Sequence, residues 1–153
     1  MIGSASAVQG GALAVAAFGA AAALVGGWRW YRGEASRAFW VLLRVQQAGA
    51  LVFALAVGVL AAVGRQPSDQ LFYLYALLPL AVGFVAEQLR LASAQSVLDQ
   101  RELPDAQAVG GLPEAEQRKV VAAIVARELG VMALAALVVV FLAVRAASTA
   151  HGF

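Results

Sequence analysis

Residues 129–144 read LGVMALAALVVVFLAV, sixteen positions without a charge, closed by Glu128 on one side and Arg145 on the other. A spanning helix needs about 20 predominantly apolar residues, with a range of roughly 17–25. This run falls just short, so its flanking charges must sit at the edge of the hydrocarbon. Three further runs have the same character. Residues 1–28 end at Arg29, residues 45–64 lie between Arg44 and Arg65, and residues 70–86 lie between Asp69 and Glu87. Backbone N–H and C=O groups cannot stay unpaired in lipid, which makes helix the default for such runs. The expected fold class is all-α. It is a single four-helix transmembrane bundle with helices over about 6–30, 37–64, 69–100 and 114–148.

Composition agrees. Of 153 residues, 62% are hydrophobic and 13% charged, with a mean hydropathy of +0.79. A soluble domain is about 25% charged. There are no cysteines, so disulfides and thiolate metal sites are excluded. The net charge of +2 comes from scattered arginines. A nucleic-acid partner would need a clustered basic face, and none is expected.

Orientation follows from the basic residues of the loops. Arg29, Arg32, Arg37, Arg44, Arg90, Arg101, Arg118, Lys119 and Arg127 fall on one side, and Arg65 and Arg145 on the other. The richer side is expected to be cytoplasmic, which leaves both termini outside a plasma-membrane protein. The first run lacks a basic segment before it and carries its arginines after it, the reverse of a secretory signal. Trp28, Trp30, Tyr31, Phe39 and Trp40 are expected at one lipid–water boundary, and Phe72, Tyr73 and Tyr75 at the other.

The third loop is the only sizeable one. Residues 88–100 contain neither Gly nor Pro and should prolong the third helix beyond the membrane. Pro104, Gly110, Gly111 and Pro113 mark a turn, and Glu114 and Glu116 suit the start of the fourth helix. The expected result is a cytoplasmic helical hairpin about 15–20 Å tall. One antiparallel register opposes Arg90 to Glu128, Asp99 to Lys119 and Arg101 to Glu116. Within the bilayer, small residues permit close approach. Ala50, Ala54, Gly58 and Ala62 on the second helix, and Gly19, Ala23 and Gly27 on the first, are expected to pack. Pro79 should kink the third helix.

Ionisable residues at membrane depth are candidates for function. Arg44, Glu87, Arg90, Arg127 and Glu128, with Gln46, Gln47 and Gln88, all fall near one plane at the charged edge. Trp40, Arg44 and Gln47 share a helix face, as do Glu87 and Arg90. Two readings stand side by side. In one, Arg44, Gln47, Glu87, Arg90, Arg127 and Glu128 form a polar chamber for a lipid head group, quinone or small anion. In the other, they are ion pairs and snorkelling arginines that lock the bundle. Glu87 alone is a third candidate, as a proton carrier. No metal or haem set assembles around the single histidine, His151, or around Met132, and no nucleophile triad appears. No cofactor is expected. The chemistry favours a non-enzymatic accessory or scaffolding subunit, with membrane lipid, other membrane subunits or itself as partner.

Three stretches, FWVLLRVQQAGAL (39–51), LFYLYALLPLAVGFVAEQLRLASAQSVLD (71–99) and LPEAEQRKVVAAIVARELGVMALAAL (112–137), resemble a family of small actinobacterial integral membrane proteins. They cover about half of the chain. The resemblance implies a plasma-membrane location and carries no activity.

Overall fold

A computed structural model describes residues 3–153, so the first two residues of the N-terminal apolar run lie outside the described residues. The chain forms α1 (Ser4–Arg32), α2 (Arg37–Ala62), α3 (Leu71–Gln100), α4 (Ala106–Gly110) and α5 (Glu114–Thr149). All but α4 are long and apolar enough to cross a membrane. The protein is a multi-pass membrane protein built as a four-helix bundle.

Local chemistry sets the helix ends. Gly33 takes a left-handed φ of 65°, and the next amide, Glu34 N–H, reaches back to the Arg29 carbonyl, closing α1. The Ser36 hydroxyl then accepts from Phe39 N–H at 3.1 Å and opens α2 three residues later. Glu114 and Glu116 stand in the first turn of α5, where the helix dipole favours anions. Pro113 caps that helix from just outside its first turn.

The helices run up and down, in the ring order α1, α2, α3, α5. The seams of α5 against α1 and α3 are the closest, and α2 lies diagonally from α5. The core is a stack of layers along the bundle. Val8, Ala12, Val57, Phe72 and Ala146 form the layer beside the chain termini. Val15, Ala50 and Val139 follow. Ala22, Phe39, Leu43, Ala86, Leu129 and Met132 lie beneath the charged end. Outward-facing Leu24, Leu55, Phe84 and Phe141 are more than 60% exposed, as lipid-facing side chains should be.

Phe39 and Phe72 stand near the expected boundaries but point inward, and both are fully buried. Trp28, Trp30 and Tyr31 do face outward. The small-residue faces also differ from expectation. Ala50 and Ala54 are buried, whereas Gly58 and Ala62 are exposed. On α1 the closest approaches are at Gly19 and Gly26, seven residues apart. A Cβ at Gly26 would lie 2.5 Å from the Phe39 ring, while one at Gly27 would meet nothing within 4 Å. An interhelical stripe at seven-residue spacing follows the slow drift of a helix across its neighbour, which a strict spacing of four does not.

Beyond the charged end, α3 and α5 continue as a hairpin around Val97, Leu98 and Val120. The turn region holds a short helix, α4, which the Pro and Gly signals had concealed. Asp105 caps it by accepting from Ala108 N–H at 2.9 Å. Gln117 donates to the Gly110 and Leu112 carbonyls behind it. Val109 and Leu112 thereby cover the hairpin core. Of the three ion pairs expected here, Arg101–Glu116 stands at 3.8 Å and Arg90–Glu128 at 4.0 Å. Asp99 and Lys119 do not pair. Lys119 turns to Glu116 at 2.9 Å, one turn away on its own helix, and Asp99 accepts from Gln95. A pair within one helix orders fewer bonds than a pair across two, and exposed pairs contribute only about 0–1 kcal/mol either way.

At the opposite end, the C-terminal residues clamp the α2–α3 loop. The His151 carbonyl accepts from Ser68 N–H at 2.8 Å, and the Phe153 ring meets Phe72 edge-on at 5.0 Å. Gly152 between them has φ 92°, and a Cβ there would stand 2.8 Å from the Ser68 nitrogen. Gly152→Ala is therefore expected to detach the tail. The loss should be that of the tail's contacts, about 1–2 kcal/mol, read as a lower Tm in detergent and as faster carboxypeptidase trimming. An unchanged Tm would show that the clamp adds nothing.

Candidate functional site

The polar layer gathers where three helices leave the apolar core. Ser36 starts α2 so that Trp40, Arg44 and Gln47 follow at spacings of four and three and share one side. The same spacing puts Glu87 and Arg90 together on α3. Glu87 is the hub. Its Oε1 accepts from Arg44 at 2.6 Å and from Gln47 at 3.3 Å, and its Oε2 accepts from Arg90 at 3.0 Å. Arg44 also donates to the Gln47 side-chain oxygen at 2.6 Å. Arg90 reaches on toward Glu128 of α5 at 4.0 Å. Both guanidinium groups lie near the Trp40 ring, Arg90 at 5.5 Å and Arg44 at 6.0 Å from its centre. Trp40 is a cation–π shelf that sequence spacing alone placed only on the right face.

Donors thus converge on both oxygens of Glu87, an arrangement for an ionised carboxylate rather than a proton carrier. Arg127 stands apart from this set. Its guanidinium donates to Ser96 Oγ at 3.0 Å and to Gln100 at 3.3 Å. Adjacent helical residues point about 100° apart, so Glu128 turns to the layer and Arg127 turns away. Five of the six candidates, Arg44, Gln47, Glu87, Arg90 and Glu128, are brought together, and the sixth is not.

Sequence reasoning gave too little weight to Gln46. It is 2% exposed and crosses the bundle interior, where its amide donates to the Ala136 carbonyl at 3.2 Å. Only a glycine at position 19 leaves it room, because a Cβ there would stand 2.1 Å from the Gln46 nitrogen. The available signal was a glutamine inside an apolar run, beside the Gly19 of another. A small, partly open cavity of about 20 Å³ lies between α2, α3 and α5, bounded by Gln46, Gln47, Pro79, Gly83 and Met132. That is room for about one water molecule. The arginines do not line it.

The chain matches no protein-family model, no curated protein and no solved structure.

A smaller cluster lies in the α1–α2 loop. Glu34 pairs with Arg29 and Arg32. The hydrogen bond from Arg29, joined by the charge of Arg32, holds the Glu34 carboxyl below its ordinary range. The pairing ties the loop across the glycine that ends α1.

Proposed function

We propose that the protein is a non-enzymatic accessory or scaffolding subunit of the plasma membrane, acting within a larger complex or as a homo-oligomer. Both termini lie outside, and the hairpin of α3 and α5 stands in the cytoplasm. The observation that carries this reading is the closure of the polar layer. Arg44, Gln47, Glu87, Arg90 and Glu128 satisfy one another, and the cavity beside them is about 20 Å³. A layer spent on its own partners fixes the depth and register of the helices. The outer side of α2 supports an interface. Ala48, Leu51, Leu55, Gly58 and Ala62 recur at spacings of three and four, all exposed, and a Cβ at Gly58 would meet open space. Another helix can approach closely there.

The test is purification from native membranes in mild detergent, with particle mass and co-purifying proteins measured. A species larger than one chain in its micelle is expected, and Gly58→Leu should shrink it without lowering Tm. A lone chain carrying lipid only, unchanged by Gly58→Leu, would end this reading. Orientation is checked separately, since the chain has no native cysteine. A cysteine placed at His151 should react with an impermeant maleimide from outside intact cells, and one placed at Gln107 should not. The reverse pattern would invert the topology.

A further inference from the structure

Seven of the nine basic residues at the charged end have a carboxylate within 4.0 Å: Arg29, Arg32, Arg44, Arg90, Arg101, Arg118 and Lys119. Arg37, at the start of α2, and Arg127 have none among the described residues, and Arg127 is the one that borders a groove. A guanidinium has five N–H donors. Two of those of Arg127 are held by the neutral side chains of Ser96 and Gln100, which orient the group without cancelling its charge.

Beneath Arg127 a groove opens across the lipid side of α5, between α3 and α1. Its mouth is formed by Arg127, Ser93, Trp30 and Gly130. It continues between Ala20, Ala23, Gly27 and Leu134 as far as Val140. Trp30, Gly130 and Leu134 border both parts, so the two adjoin. The depth comes from missing side chains. A Cβ at Gly27 would meet nothing within 4 Å, and one at Gly130 would press on the Trp30 indole at 3.1 Å.

We infer that this groove seats one anionic phospholipid of the bilayer, its phosphate on Arg127 and one acyl chain along α1 and α5. Length supports a lipid. Gly130 to Val140 spans about 15 Å of helix, half of a hydrocarbon core about 30 Å thick. Width supports it too. The inner part holds about 440 Å³, which over that length leaves a cross-section of roughly 30 Å², whereas a helix with its side chains is about 10–12 Å across. A single hydrocarbon chain fits within it, and a helix could lie only over it. Charge selects the head group, because the phosphate of an anionic lipid leaves a net negative charge that a zwitterionic one lacks. The Trp30 ring, wedged on Gly130 at the lipid–water boundary, is the wall between head and tail. This site lies on a different side from the outer side of α2 and does not depend on a protein partner.

The whole chain is reconstituted into phosphatidylcholine bilayers, and the motionally restricted fraction of spin-labelled phosphatidylglycerol is compared with that of spin-labelled phosphatidylcholine. Phosphatidylglycerol should be preferred, and Arg127→Gln should cut the preference roughly fivefold while leaving restricted phosphatidylcholine unchanged. Arg118→Gln, whose charge is already paired with Glu114, should leave the preference intact. Gly27→Leu should fill the groove and lower the restricted fraction of both lipids. The assignment is overturned if Arg127→Gln retains the wild-type preference, or if Arg118→Gln loses as much. It is overturned equally if Gly27→Leu changes nothing, or if a cysteine at Leu24 cross-links to a second copy of the chain. Should Arg127→Gln lower both lipids together, the fold has suffered, and the Gly27→Leu result decides.

Discussion

Replacing Gly19 with alanine is expected to destabilise the bundle by about 2–3 kcal/mol, although the residue added is the best helix former of all. Helix propensity alone predicts the opposite sign, since Gly costs roughly 1 kcal/mol relative to Ala within a helix. Packing decides. The new methyl would lie 2.1 Å from the Gln46 nitrogen and 2.9 Å from a Val140 methyl. Gln46 is buried between helices and cannot move aside without giving up the Ala136 carbonyl. That hydrogen bond is worth only about 0.6 kcal/mol on average in a membrane, up to about 1.7. Most of the expected loss is therefore steric. Gln46→Ala should cost less, about 1–2 kcal/mol, because the Ala136 carbonyl lies inside α5 and keeps its own helical bond. In the double variant the added methyl occupies space the amide has left, so Gly19→Ala should cost little more once Gln46 is gone. Unfolding in mixed micelles measures all three variants. Simple addition of the two single losses would refute the steric coupling, and with it the close crossing of α1 and α2 at this layer.

The architecture was legible because lipid leaves so few alternatives. A charge-free run such as 129–144 has no way to satisfy its backbone other than as a helix, and four such runs with short connections make a bundle. Which face of each helix turns inward was far less legible. The pattern that announces a buried side in a soluble helix is the contrast between apolar and polar residues, and here both sides are apolar. Gly27 and Gly26 are indistinguishable by composition, yet only Gly26 receives the Phe39 ring. Phe39 and Phe72 carried the same ambiguity, as amphipathic-belt and core positions share one residue type.

The polar layer was legible in its membership and not in its wiring. Spacing on α2 and α3 put Arg44, Gln47, Glu87 and Arg90 on usable sides, because helical periodicity is rigid over one or two turns. Which of Arg127 and Glu128 joined them depended on the rotation of α5, and this is set by Leu129, Met132 and Ala136 packing into the core. The hairpin register shows the same limit. Two of its three opposed pairs form at 3.8 Å and 4.0 Å, while Lys119 had a nearer carboxylate on its own helix. Short α4 escaped because five residues bounded by Pro104 and Gly111 have no periodicity to detect.

Glu87→Ala is expected to be the most damaging substitution in the polar layer, at about 2–3 kcal/mol, and Arg44→Ala the mildest of the charged ones, at no more than about 1 kcal/mol. The asymmetry follows from connectivity and burial. One carboxylate serves two guanidinium groups and an amide, so its removal takes an acceptor from all three at once. Arg44, by contrast, is half exposed, with 52% of its side chain accessible against 25% for Glu87. Freed, it can reach the head-group region by snorkelling. Arg90 falls between them, since it also approaches Glu128 and the Trp40 ring. Its loss should cost about 1–2 kcal/mol. With Glu87 already removed, Arg44→Ala should cost little further, and taking away a cation that has lost its carboxylate should even restore a few tenths of a kcal/mol. Reversible unfolding of the four variants provides the cycle. If Glu87→Ala proves no worse than Arg44→Ala, the carboxylate is not the hub, and the closed layer on which the scaffolding assignment rests is gone. A polar layer that tolerates the loss of Glu87 is one whose arginines are free for a ligand.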